Sequence, residues 1–363
     1  MRPIHSGVLM LALATGAAAQ QQNFFMVTNS TSPESVLLMN ADNGDVLDAS
    51  WINDQGASGW ALVFPKSAIQ VGDEVWVSDQ NQNAVHRFAV DKSDPILSRP
   101  VYVGSITGDG VNEFDNIRGL SYDGERVYLT MWGATSNFFY NSVIVIDAAS
   151  ATVVDSWPTT GSPFDVQQFD GDLLVSGSSP NTVVRFSKTG QNLGTVVPTG
   201  VLSTAQQILN IDDNEFLVMS SLGLAQNRGI YRYNAAGQQI EFIPTSAGMD
   251  NATARGVAQI PGGGYLVSSN NGVYAVTSAG SGAYLFTQLV SGVGFNGHYI
   301  GRLTIGAPAC PPDLNGDGVV DADDFFLFLQ LFADGDMRAD FNNDGVIDAD
   351  DFFAFLSAFA AGC

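Results

Sequence analysis

The chain has 363 residues, with 37 Asp and Glu against 14 Lys and Arg, and a formal net charge of −23. That balance excludes a nucleic-acid-binding surface, which needs basic residues in excess. Both cysteines, Cys310 and Cys363, lie near the end, so the bulk of the chain has no thiol nucleophile; past residue 20 only His86 and His298 remain, too few for a three-histidine metal site.

Residues 1–20 read MRPIHSGVLMLALATGAAAQ. Arg2 and His5 make a short positive start, Val8 to Ala14 are mostly apolar, and Ala17-Ala18-Ala19 supplies a small-residue cleavage pattern. This predicts a secretory signal peptide over residues 1–19, cut after Ala19. The apolar run is far short of the roughly 20 residues a membrane helix needs. No later stretch is long and apolar enough either, so the expectation is a secreted protein without a transmembrane segment.

Residues 20–306 carry a repeat. A strand ending in small or polar residues recurs as FFMVTNS, VWVSDQN, VYLTMWG, LLVSGSS, FLVMSSL and YLVSSNN, each followed by a second strand such as AVHRFAV or TVVRFS. The starts, at Phe24, Val75, Val127, Leu173, Phe216 and Tyr265, are spaced by about 43 to 52 residues. Alternating strands with Gly and Asn turns at this period predict an all-β domain read as a six-bladed β-propeller. Nothing precedes the first strand to act as its inner neighbour, and NGHYIGRLTIG at the far end has no following partner. That last strand is expected to close the ring and remove an exposed edge. A β-sandwich is the competing fold. The sequence resembles propellers of the general NHL or WD40 type without the Trp-Asp signature, and that architectural resemblance implies no activity.

The inner strands are expected to begin NIRGL, PFDVQ, QQILN, ARGVA and GHYIG, which places Arg118, Asp165, Gln207, Arg255 and His298 around one mouth of the central channel. They read either as a polar pocket for a sugar or small anion, or as structural hydrogen bonds between blades. His86 lies in an alternating strand and reads as a partly exposed residue, and PGGGY at 261–265 reads as a hairpin turn rather than a phosphate loop.

After a linker at 307–312, residues 313–363 contain one motif twice, DLNGDGVVDADDFF and DFNNDGVIDADDFF, 27 residues apart. Asp313, Asn315, Asp317, Asp321 and Asp324 stand at positions 1, 3, 5, 9 and 12 of the first loop, and Asp340, Asn342, Asp344, Asp348 and Asp351 at those of the second. Val319 and Val346, at position 7, offer backbone carbonyls, and Gly318 and Gly345, at position 6, permit the sharp turn. Calcium takes six to eight oxygens and is wrapped by such a loop, so two Ca2+ sites are expected. Position 12 is Asp where the calcium loop usually has Glu. Each loop leads into an apolar helix, but Pro311-Pro312 before the first forbids a helix there. Cys310 and Cys363 bracket the repeats. In an oxidising compartment they are expected to pair, worth roughly 4 kcal/mol on the chain-entropy model; a free terminal thiol or a link to another chain are the alternatives.

The unit is therefore loop then helix, twice. Over about 54 residues, from Cys310 to Cys363, it resembles the dockerin domain, in the GC-type, type I-like form found at the C-terminus of exported bacterial proteins. That resemblance implies a cohesin-like partner or surface scaffold, although Ala322-Asp323 and Ala349-Asp350 replace the familiar Ser-Thr pair at loop positions 10 and 11. Comparing the two helices, the shared Phe-rich face is expected to be core, and Leu327 and Leu331, matched by Ala354 and Ala358, are expected to form a bare docking pair. The expected function is an exported calcium-binding protein whose tail docks a propeller binding or scaffold domain. The alternative is a polysaccharide-degrading glycoside hydrolase or lyase carried by the same tail.

Overall fold

A computed structural model of the chain describes residues 22–362 apart from 92–95, 97, 134–140, 250–251, 292–293, 306–310, 316–318 and 343–344. The expected leader, most of the expected linker, Asp317, Asp344, Cys310 and Cys363 lie outside the described residues. The chain divides into two compact units, Asn23–Thr304 and one that contains Ile305–Cys363. Among the described residues no helix is long and apolar enough to cross a membrane.

Asn23–Thr304 forms six four-stranded sheets, a six-bladed β-propeller. The innermost strands are Gly297–Ile305 in the first blade, then Pro65–Val71, Ile117–Tyr122, Pro163–Phe169, Ala205–Asp212 and Ala254–Gln259. The first blade takes its innermost strand from the far end of the domain and pairs it with Gln22–Asn29, as the unpartnered last strand predicts. The β-sandwich alternative is therefore set aside. Second strands such as Glu74–Asp79 are buried almost throughout, because a neighbouring blade covers each face. Outer strands such as Val101–Ile106 alternate between exposed and covered residues, as an edge facing water on one side should. Trp76, Val85, Ile117, Leu129 and Ile144 pack the second blade onto the third.

A recurring hydroxyl joins the blades. Thr28, Ser78, Thr130, Ser176 and Ser268 sit near the ends of second strands and are fully buried. Each donates to a backbone carbonyl at the second residue of the next inner strand: Thr28 to Lys66 at 3.0 Å, Thr130 to Phe164 at 3.0 Å, Ser176 to Gln206 at 2.7 Å, Ser78 to Arg118 and Ser268 to His298. Three of these hydroxyls also accept from an inner-strand N–H of their own blade: Ser78 from Ser67, Thr130 from Gly119 and Ser176 from Asp165. Those N–H groups lie at irregularities of the inner strand, where the ladder leaves a donor unpaired. One side chain thus satisfies a bulge and fastens two blades. Ser220 of the fifth blade departs from the pattern and donates to Ser203 and Asn227 carbonyls instead.

In the second unit, α1 (Ala322–Asp334) and α2 (Ala349–Ala361) begin alike. Asp321 and Asp348 cap them, and Asp324 and Asp351 complete each capping box. Phe328 and Phe355 stack with centroids 4.1 Å apart and planes 4° from parallel, and Phe341 meets Phe355 edge-on at 5.3 Å. The shared Phe-rich face is only partly core. Phe328 and Phe355 are buried, whereas Phe326 and Phe353 are 64% and 63% exposed and Leu329 is exposed too. The expected bare pair is corrected as well: Leu331 is 5% exposed and Leu327 half-buried, both packed into the helical core. On α2 the matching Ala354 and Ala358 line an open groove with Leu314, Met337 and Phe341, of about 810 Å3.

Candidate functional site

Each inner strand enters the channel at one mouth, and the second residues there are Lys66, Arg118, Phe164, Gln206, Arg255 and His298. The interblade hydroxyls hold the backbone of five of these six positions. Lys66 Nζ lies 2.9 Å from His298 Nδ1, and Ser30 Oγ lies 2.9 Å from His298 Nε2. An ammonium donating to Nδ1 leaves the Nε2 proton for Ser30, so the imidazole is neutral. Burial holds the His298 pKa well below its ordinary value, and the charges of Lys66 and Arg255 add to the effect. Lys66 is lowered by burial, then by Arg255 and Arg118.

Arg118 lies 4.0 Å over the Phe164 ring and 4.8 Å over Trp132, and it donates to Asn116 Oδ1 and the Pro163 carbonyl. Burial brings its pKa down to about 10. Arg255 is half-buried and donates through Nη1 to Asn296 Oδ1 at 2.5 Å and the Gly297 carbonyl at 3.3 Å.

The third residues of two inner strands act differently. Asp165 reaches across to accept from Ile208 N–H of the next blade at 2.8 Å. Its carboxylate passes so close to Gly119 that a Cβ there would stand 2.1 Å from Asp165 Oδ1. Burial pushes the Asp165 pKa up to about 8, against the opposing pull of backbone hydrogen bonds and Lys66. Gln207 accepts from Val257 N–H and Ile300 N–H and donates to the Ile300 carbonyl, tying the fifth, sixth and first blades together. Below them the channel opens into a chamber of about 280 Å3, lined by Ser67, Ser121, Gln167, Gln207, Gly301 and Arg302 among others.

The five expected channel residues therefore do converge on one end of the ring, in two tiers. Arg118, Arg255 and His298 stand at the mouth, each within electrostatic or hydrogen-bond reach of Lys66, while Asp165 and Gln207 are braces between blades. Sequence reading missed Lys66, because FPKSAIQ lacks the β-branched run that marks the other strands. His86 is buried rather than partly exposed, with Nδ1 2.7 Å from Ser105 Oγ.

In the tail, Asp324 is buried and its two oxygens accept from Asn315 N–H and Asp321 N–H at 3.0 Å each. Asp351 likewise accepts from Phe341, Asn342 and Asp348 N–H groups. In the second loop Gly345 has φ +87° and donates to Asp340 Oδ2 at 2.9 Å, the left-handed turn expected at position 6. Among the described residues no three His, Cys, Asp or Glu side chains converge, and each loop's position 5 lies outside them. The donor set is oxygen only, with the last carboxylate folded back over its own loop, which fits a hard cation such as calcium.

No family model matches the sequence, and no curated protein matches it. Solved structures do. A chain of the nidogen/laminin complex is 11% identical with a TM-score of 0.58, covering 77% of this chain and 98% of that one. A putative 6-phosphogluconolactonase from Bacteroides fragilis is 13% identical with a TM-score of 0.51, covering 78% and 98%. The WD40 β-propeller domain of Doa1 is 12% identical with a TM-score of 0.48, covering 75% and 86%. At such identities the likeness is one of fold.

Proposed function

We propose that the protein is an exported, calcium-dependent docking protein: its C-terminal unit binds two calcium ions and attaches a non-catalytic propeller to a cohesin-like receptor or surface scaffold. The observation that carries this reading is the duplicated loop-helix unit, with the same oxygen residues, the same Asp capping box and a stacked Phe328–Phe355 pair between the copies. Asp313, Asn315, Asp317, the Val319 carbonyl, Asp321 and Asp324 would hold one ion; Asp340, Asn342, Asp344, the Val346 carbonyl, Asp348 and Asp351 the other. Bound calcium neutralises carboxylates that otherwise repel one another. Pairing of Cys310 with Cys363 and cleavage of residues 1–19 belong to the same proposal.

Docking is assigned to the exposed Phe326, Leu329 and Phe353 rather than to the packed Leu327 and Leu331. Equivalent Phe residues exposed alike on both helices favour a surface that both copies present. Calorimetry on the full chain is expected to show two calcium sites, with Asp317→Ala and Asp344→Ala each removing one. Phe326→Ser with Phe353→Ser is expected to weaken capture by an immobilised cohesin domain without changing calcium affinity. Full helical signal and protease resistance of the tail in chelator would overturn the reading.

The enzymatic alternative requires two carboxyl groups facing one another across a site. Among the described residues lining the channel chamber Asp165 is the one carboxylate, and it is engaged by Ile208. A binding head is accordingly the better reading. A polysaccharide screen scored for both retention and reducing-end release separates the two.

A further inference from the structure

We infer that the mouth of the propeller channel is a binding site for a small oxyanion, a carboxylate or phosphate group held by Lys66, Arg118 and Arg255. The chain has 14 Lys and Arg against 37 Asp and Glu, yet three of those cations occupy the same position on three different inner strands. Hydroxyls of neighbouring blades clasp the backbone of Lys66 and Arg118, and the charges of Arg255 and Arg118 lower the Lys66 pKa beyond the effect of burial. Keeping like charges together at a buried ring costs stability, so the arrangement calls for a compensating anion.

The protein itself supplies little compensation. Among the described residues the ion pairs involve other side chains: Arg87 with Glu74, Arg185 with Asp172 and Arg232 with Glu215 are examples, and none includes Lys66, Arg118 or Arg255. The nearby carboxyl, Asp165, spends an oxygen on Ile208 N–H of the next blade, and burial pushes its pKa up. Among the described residues, Lys66 spends one N–H on His298, and Arg255 spends Nη1 alone on protein acceptors. Arg118 spends Nε and Nη1, and its stacking on Phe164 and Trp132 fixes the plane of the guanidinium. Donors therefore remain on all three cations, in fixed positions, as oxyanion recognition requires. Trp132 and Phe164, both half-buried beside Arg118, suit a small group rather than a polymer chain.

Isothermal titration of the full chain at low ionic strength, with sodium glucuronate in one arm and methyl phosphate in the other, tests the site. One-to-one binding in either arm is expected, and the arm that binds names the carrier: an acidic sugar or a phosphorylated molecule. Arg255→Gln, at a half-buried position that tolerates the change, is expected to weaken binding about tenfold, equivalent to about 1.4 kcal/mol. Lys66→Met is expected to weaken it at least as much while raising the melting temperature of the propeller, because a buried charge becomes an apolar side chain. A Lys66 whose role is only structural would lower the melting temperature instead. Absence of binding in both arms, or undiminished binding by the doubly substituted Lys66→Met, Arg255→Gln chain with native circular dichroism, would overturn the inference.

Discussion

Replacing Asp165 by Asn is expected to make the propeller less sensitive to rising pH. Asp165 is buried and its folded-state pKa is raised by desolvation from 3.8 to about 8. A folded pKa above the unfolded one means that the folded chain keeps a proton the unfolded chain has released. The stabilising contribution is therefore full below about pH 4 and is lost as pH climbs through about 8. The slope is about 1.4 kcal/mol per pH unit, or about 4 kcal/mol between about pH 5 and about pH 8, as an order of magnitude. For a domain of this size that corresponds to a melting-temperature change on the order of 8 °C. Asn keeps the acceptor for Ile208 N–H but does not titrate, so the difference between Asp165→Asn and the parent isolates this one group. Scanning calorimetry of the propeller transition, at fixed calcium, is expected to show that difference growing in favour of Asn from acid to mildly alkaline pH. A difference that stays flat would mean that Asp165 is ionised throughout as an ion pair with Lys66, and the reasoning would fail.

Ser176→Ala removes a hydroxyl that both accepts from Asp165 N–H and donates to the Gln206 carbonyl, and it is expected to cost about 2–3 kcal/mol in urea unfolding of the propeller, since two buried backbone groups lose their partner. Phe355→Ala removes half of the stacked pair at the centre of the tail and is expected to destabilise that unit by about 3–5 kcal/mol. Loss of α-helical circular dichroism with an unchanged propeller transition checks the second of these; an unaltered helical signal would contradict it.

The propeller was legible because its blades repeat the physics that builds them. VWVSD, LLVSG and YLVSS each place a buried apolar run before a hydroxyl, and the hydroxyl proves to be the clasp between blades. The ring closure was legible for the same reason: a strand at each end lacked a partner. Contacts across the ring were not, because Asp165 and Ile208, or Gln207 and Ile300, are separated by 43 and 93 residues and no local pattern links them. Lys66 was lost with its strand, in which Pro65 and polar residues hide the alternation. In the tail, a difference between the two copies does not mark exposure. Successive helical residues turn by about 100°, so Phe326 cannot share the face of Phe325 and Phe328, whereas Leu327 and Leu331 flank Phe328 and pack with it. Identity across copies marks what the copies have in common, and the Phe exposed on each helix is common to both.

The two tiers of the ring explain why one set of residues supports both readings raised by its sequence. Successive strand residues point opposite ways, so each inner strand has one residue free to address the ring and the next free to address a neighbouring blade. At the deeper tier Asp165 and Gln207 spend their polar atoms on backbone groups of adjacent blades, and their value is structural. At the outer tier Thr28, Ser78, Thr130, Ser176 and Ser268 fasten the backbone at five of the six positions, so holding the blades together does not rest on the side chains alone. A fold that has secured its inner strands by other means can place like charges side by side at their ends. Lys66, Arg118 and Arg255 stand together there at a cost in stability, and a ligand is the simplest source of compensation.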